Sequence, residues 1–249
     1  MDNNLTDRSF WKAFWESRLG LIFSIKRDYI FGDILGKLKA DKGYQTAIEL
    51  GGFPGYYAIY LKRYENMDTT LFDYFIHQGL INELLEKNGL KDSDINIIEA
   101  DLFTYQPAGQ YDMVLSFGLI EHFKDTKAII ATHLPFLKTG GTLFITLPNF
   151  KSINGWVQRK FDLENYNKHY IECMDPALLA DCCKQLGLTE VESYYHGKFS
   201  MWLENKGTQS ALAKAFVKSL WFAGKVITKI APFESKALSP YIVVKATKG

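Results

Sequence analysis

From Thr46 onward, short apolar runs alternate with longer stretches of helical spacing. TAIEL (46–50), TTLFD (69–73), INIIEAD (95–101), YDMVLSF (111–117) and GTLFITLPN (141–149) are rich in β-branched and aromatic residues. Each is too short for a helix and is bounded by turn formers, so each reads as a strand. Between them, 55–64, 77–87 and 126–137 read as helices. The second stops at Asn88-Gly89, and the third at the basic, glycine-rich Lys138-Thr139-Gly140-Gly141. Strand and helix in that alternation predict a parallel sheet covered by helices on both faces. The near-continuous apolar run TLFITL fits a strand buried on both sides.

The flanks are patterned differently. Residues 6–42 predict two helices, from the spacing of Phe10, Trp11, Phe14 and Trp15 and then of Tyr29, Ile34, Leu35 and Leu38. Residues 150–173 show no clear period but hold Phe150, Trp156, Phe161, Tyr166 and Tyr170. Asp175-Pro176 is an N-cap and first-turn pair that opens a helix to Leu186, which Gly187 closes. VESYYHGKF (191–199) and PYIVVKA (240–246) are the last expected strands. Between those two lies a strongly amphipathic helix, 210–231. Its Lys214, Lys218, Lys225 and Lys229 share an arc of about 60°, with Leu212, Phe216, Leu220, Ala223, Ile227 and Ile230 opposite.

Composition narrows the possible partners. The 249 residues carry 29 basic and 28 acidic side chains, a net charge of +1, with no basic block. Long nucleic acid is therefore disfavoured as a partner. Cys173, Cys182 and Cys183 have neither disulfide-framework nor zinc-ligand spacing, which points to a reducing cytoplasm. The start, MDNNLTDRSFWKAFW, is acidic and polar and does not read as a signal peptide. No apolar stretch reaches the ~18 residues of a membrane span.

In an open parallel sheet, ligands sit outside the carboxyl ends of the strands, where the strand order reverses. Four such ends carry suitable groups. Glu49 closes the first strand ahead of Gly51, Gly52 and Gly55, whose bare backbone allows close approach. Asp73 closes the second, at the spacing of an acid that holds ribose hydroxyls. Asp101 closes the third, placed to accept from an adenine amino group, and Ser116 and Phe117 end the fourth beside Gly118. Each feature alone is commonplace, but all four fall at the same end of their strands.

The glycine spacing does not suit a nicotinamide dinucleotide. IELGGFPG instead resembles the first motif of the class I S-adenosylmethionine-dependent methyltransferases, with Phe53 where the middle glycine is expected. TLFDYF, EADLF, YDMVLSFGLIEHFKD, KTGGTLFITLPN and NKHYIECMDPALLADCCKQLGL resemble the later motifs of the small-molecule branch, over about residues 45–190. The resemblance implies a Rossmann-like sheet of seven strands, mostly parallel with the last antiparallel, and S-adenosylmethionine as cofactor. It implies Glu49, Gly51, Gly52, Gly55, Asp73, Tyr74, Asp101, Leu102, Ser116 and Phe117 as cofactor-binding residues. It also implies one domain over 1–249, with a helical cap at 1–43, a cofactor half at 44–149, and a lid and substrate half at 150–249. The last would contain a helical insertion at 208–232.

Methyl transfer from a sulfonium needs alignment, exclusion of water and a deprotonated acceptor. Candidate bases are His169 and His122, with His196 ranked lower, while Tyr166 and Tyr170 could orient an acceptor. No metal is expected, because the Glu121-His122 pair has no further acid upstream. Segment 150–173 is long enough for a lid, its aromatics either walling a ring-shaped substrate or packing beneath the loop. The lysine-faced helix is open to three readings: ordinary packing, a dimer contact, or attachment to an anionic membrane. Signatures of nucleic-acid amine, cytosine-C5 and protein-arginine enzymes are missing. The expected activity is methyl transfer to a small-molecule or lipid- or sugar-linked acceptor, by a monomer or homodimer. The rival is a non-catalytic protein of the same fold. Since Pro54 restrains Phe53, the ring is expected to point away from the ligand face of the loop.

Overall fold

The runs expected as strands pair into one sheet. In the computed structural model, which describes residues 4–17, 20–203, 210–230 and 233–249, the strands are β1 (Thr46–Leu50), β2 (Asp68–Asp73), β3 (Asn96–Glu99), β4 (Tyr111–Phe117), β5 (Leu137–Pro148), β6 (Leu188–His196) and β7 (Tyr241–Lys248). Their order is β3-β2-β1-β4-β5-β7-β6. The first five run parallel to one another, and β7 lies antiparallel between β5 and β6. The seven-stranded fold implied by the sequence is thus the one observed.

The helices are α1 (Arg8–Ser17), α2 (Gly32–Lys42), α3 (Tyr56–Glu65), α4 (Gln78–Lys87), α5 (Thr126–Ala131), α6 (Ile153–Phe161), α7 (Leu163–Asn167), α8 (Pro176–Gln185) and α9 (Ala211–Ile230). Side-chain caps fix several starts. His77 accepts from Leu80 N–H at α4, Asp125 from Ala128 N–H at α5, and Asp175 from Ala177 N–H at α8. The helix expected over 126–137 stops at Ala131, and a 3₁₀ turn follows at Leu134–Phe136. Pro135 explains this: its ring would clash with the carbonyl four residues back, that of Ala131.

One apolar cluster packs α2, α3 and α4 on one face of the sheet, with Ile25, Phe31, Leu35, Ile59 and Ile81 fully or almost fully buried. A second packs α5 and α8 on the other, around Ile129, Phe136, Leu143, Leu179 and Cys183. Each such side chain contributes about 1.5–3 kcal/mol when buried. All three cysteines are buried and free.

Segment 150–173, which shows no period in sequence, forms α6, α7 and a 3₁₀ turn. The inner face of α6 is Asn154, Gly155, Val157 and Gln158, so polar and small residues hide its periodicity. Helix α9 packs through only part of its apolar surface. It turns Val217 and Leu220 toward Val157, Phe199, Met201 and Leu203. Gly224 fits against the Phe199 ring, which a Cβ would approach to 2.0 Å. Leu212, Phe222 and Ile227 are exposed, and Phe216, half exposed, lies with its ring against Trp156 and Phe161 of α6. Residues 204–209 and 231–232, which include both ends of the expected insertion 208–232, lie outside the described residues. Among the described residues, no helix is long and apolar enough to cross a membrane.

Candidate active site

The strand order reverses between β1 and β4, and the chain leaves both through a glycine. Gly51 has φ 60° and Gly118 has φ 72°, a region that L side chains rarely adopt. Their N–H groups donate to Phe72 O and Thr146 O, both at 2.8 Å, which holds the two turns against neighbouring strands. Both glycines line two adjoining cavities.

The first cavity, about 90 Å³, is lined by Gly51, Asp73, Tyr74, Asp101, Leu102 and Gly118. The second, about 340 Å³, is lined by Phe53, Tyr57, Phe117, Glu121, Phe150 and His169 among others. Trp11, Trp15, Gly51, Gly118 and His122 border both. Helix α1 therefore lies over the junction, with Trp11 edge-on to His122 at 5.1 Å and Trp15 edge-on to Phe53 at 5.2 Å. Arg8 ties the helix down by hydrogen bonds to the Glu99 carboxylate and Tyr74 O.

Asp73 is buried, and its two oxygens accept from Phe53 N–H at 2.9 Å and Phe75 N–H at 3.1 Å. Burial pushes its pKa up to about 6 despite those bonds. Asp101 accepts from Phe103 N–H at 2.9 Å, which shapes the turn below the first cavity. Phe117 stacks on Tyr57 with ring centroids 3.5 Å apart, forming a wall of the second cavity. His122 Nδ1 bonds Lys168 O at 2.9 Å, and His169 Nδ1 bonds Asn165 O at 2.7 Å. A carbonyl can only accept, so both rings carry the proton on Nδ1 and keep the Nε2 lone pair free. Burial lowers their pKa values to about 3 and about 4, so both rings are neutral.

Four of the expected cofactor residues do not line either cavity. Glu49 turns beneath the loop, where its carboxylate accepts from Ala58 N–H at 2.8 Å, and burial raises its pKa to about 8. Gly52 makes room for that side chain, since a Cβ there would stand 2.2 Å from Glu49 Cγ. Gly55, at φ 92°, is the N-cap of α3. Ser116 points to the α5 side of the sheet, where its Oγ bonds His133 Nε2 at 3.0 Å. These four shape the loop and sheet rather than the cavity surface. His196 also stands apart, paired with Glu234 at 3.1 Å.

The ring of Phe53 is buried between Trp15 and Phe75 and lines the second cavity, not the first. The Phe53–Pro54 peptide is cis. Sequence reasoning did not assign Glu121 to the site. Its adjacency to His122 was visible, but its position against His169 depends on α7, which was not.

Several known proteins are similar to this chain. The profile of the family described as "Methyltransferase domain" matches residues 25–193. No curated protein sequence matches. Among solved structures, phosphoethanolamine N-methyltransferase 2 of Haemonchus contortus in complex with S-adenosyl-L-methionine is 16% identical, with a TM-score of 0.58 over 88% of this chain and 52% of that one. The chain thus spans about half the length of that protein. A candidate sarcosine dimethylglycine methyltransferase from Galdieria sulphuraria is 16% identical, with a TM-score of 0.59 over 97% of both chains. A SAM-dependent methyltransferase from Archaeoglobus fulgidus is 15% identical, with a TM-score of 0.52 over 87% of this chain and 94% of that one. With its seven-stranded sheet and glycine turns, the chain belongs to the methyltransferase-domain family.

Proposed function

We propose that this enzyme moves the methyl group to a small-molecule acceptor, or to one linked to a lipid or sugar, held in the second cavity. The observation that carries this is the meeting of two cavities at Gly51, Gly118 and His122, one edged by acids and the other walled by aromatics. The residues fit the cofactor. Asp73 offers a buried carboxylate to ribose hydroxyls, Asp101 offers an acceptor to the adenine amino group, and Tyr74 and Leu102 flank the base. Gly51 and Gly118 supply bare backbone where a side chain would fill the space.

When bound, S-adenosylmethionine supplies an electrophilic methyl group on a sulfonium. The chain's own residues orient the acceptor and exclude water. Phe53, Tyr57, Phe117 and Phe150 dry the cavity, and the neutral His122 and His169 each present an Nε2 that can take a proton from the acceptor. Three buried free cysteines support a reducing compartment such as the cytoplasm. Calorimetry with S-adenosylmethionine and S-adenosylhomocysteine tests the reading. Binding of both is expected, and no heat at millimolar ligand favours a non-catalytic binding protein.

The outer face of α9 supports a peripheral membrane contact. Leu212 is 85% exposed and Phe222 66%, and Phe216, Val226 and Ile227 extend the same strip. Lys214, Lys218 and Lys229 stand exposed beside it. Exposed aromatics flanked by lysines match an anionic interface. Flotation on phosphatidylserine-containing vesicles is expected, with loss on Phe216→Ser/Phe222→Ser and on raising the salt. A concentration-dependent dimer that does not float would replace the membrane by a second copy of the chain.

A further inference from the structure

Glu121, His122 and His169 bring one carboxylate oxygen and two imidazole nitrogens within 4.8 Å of one another. They come from two distant parts of the chain. Glu121 and His122 occupy the 3₁₀ turn Ile120–His122 after β4, and His169 follows α7. All three line the second cavity, and His122 also borders the first.

Each member is prepared as a ligand. Backbone carbonyls hold the Nδ1 protons of both histidines, which fixes the rings and leaves Nε2 unprotonated. A second partner on the other ring nitrogen is the usual way in which a metal-binding histidine is oriented. Glu121 is 1% exposed, and its Oε2 has no hydrogen-bond partner among the described residues. A buried carboxyl oxygen without a partner is costly, and a cation bound to it would offset that cost. Lys168, which lines the same cavity, does not supply a partner. Lys168 Nζ pairs with Glu164 at 2.7 Å and lies over the Phe10 ring at 4.7 Å.

We propose that Glu121, His122 and His169 form a site for a divalent first-row transition cation, such as zinc or cobalt, in the wall of the acceptor cavity. Two neutral imidazoles and one carboxylate suit such ions, and three protein ligands leave coordination positions open. The cation sits where the acceptor binds, so the acceptor class it selects is a hydroxyl. This last step rests on the proposed function. With both Nε2 atoms on the cation, neither imidazole takes the proton as it would in the metal-free reading. The cation would lower the hydroxyl's pKa, and the proton would leave to solvent. The oxygen then forms its bond to the methyl carbon as the carbon–sulfur bond breaks, and the thioether leaves neutral.

The test uses the full chain after chelator treatment. Cobalt(II) is titrated while the visible d–d bands are followed, and zinc(II) then competes. One equivalent of cobalt is expected to bind. Glu121→Gln and His169→Ala should each weaken it by about tenfold or more, with S-adenosylhomocysteine affinity retained as evidence of folding. The histidine ring nitrogens of the unmodified chain give a second readout, since zinc should shift the NMR signals of His122 and His169 but not His77. No cobalt or zinc binding at millimolar metal, unchanged binding in both variants, or zinc shifts confined to other histidines would overturn the proposal. S-adenosylhomocysteine that fails to bind while cobalt binds would count against the proposed function and leave the metal site standing.

Discussion

Asp73→Ala is expected to weaken S-adenosylhomocysteine binding by about 1–3 kcal/mol, roughly 5–150-fold, because it removes charged hydrogen bonds to the ribose. The carboxylate already accepts from Phe53 N–H and Phe75 N–H, so part of the loss comes through the loop it anchors. Asp73→Asn separates the two contributions, since its single carbonyl can keep one of those amides. The pH dependence gives a further readout. Burial raises the Asp73 pKa to about 6. An ionised carboxylate accepts from hydroxyls at sites that its protonated form partly loses, so affinity should fall as pH drops through about 6. The charged groups around it are Glu99, whose charge raises the pKa and which pairs with Arg8, and Glu49 and Asp101. Both variants should lose the part of the pH dependence that Asp73 causes. Calorimetry from pH 5 to pH 8 measures this. An Asp73→Ala protein with unchanged affinity would mean that the ribose lies elsewhere.

That prediction rests on a residue legible in the sequence. Asp73 was visible because strand ends in a parallel sheet are short, apolar and sharply bounded, so the acid that closes one stands out. The same holds for the glycines that follow Leu50 and Phe117. The expected third strand, by contrast, is shorter: β3 ends at Glu99, and Asp101 stands in the turn two residues beyond it. Side-chain direction was less legible. Glu49 and Ser116 occupy strand ends as expected, but alternation along the strand sends Ser116 to His133, and the start of α3 captures Glu49. Least legible was the second half of the site. Helices α6 and α7 bury Asn154, Gly155, Gln158 and Asn165, whose polarity conceals the helical period. Without those helices, His169 has no position, and its encounter with Glu121 and His122 cannot be foreseen. The apolar strip on α9 is open in sequence to packing, a dimer contact or a membrane contact. The docking of Val217, Leu220 and Gly224 around Phe199 shows which side packs.

Gly155→Ala should lower stability by about 3 kcal/mol, at the upper end of overpacking costs. An ideal Cβ at this position would stand 1.7 Å from Phe150 O and 2.2 Å from Phe150 C, both backbone atoms. Phe150 is held in place. Its N–H contacts Met174 Sδ at 3.1 Å, its ring packs on His169 at 4.7 Å, and neighbouring Asn149 donates to both Lys236 O and Ser239 O. Helix α6 must therefore move outward. It carries Gln158, which donates to Trp202 O and accepts from Asn165 Nδ2 at 3.0 Å, while Asn165 O holds the His169 ring. A displacement at Gly155 thus reaches the acceptor cavity through three hydrogen bonds. No residue of α6 lines the first cavity. The expected result is a melting midpoint lower by about 6–12 °C for a chain of this size, with the affinity for S-adenosylhomocysteine nearly unchanged. Gly109→Ala, where a Cβ meets nothing within 4 Å, should leave the midpoint where it is. A Gly155→Ala protein melting like the Gly109→Ala control would show that α6 does not pack on the Phe150 backbone. Its hold on His169 would then have to come from elsewhere.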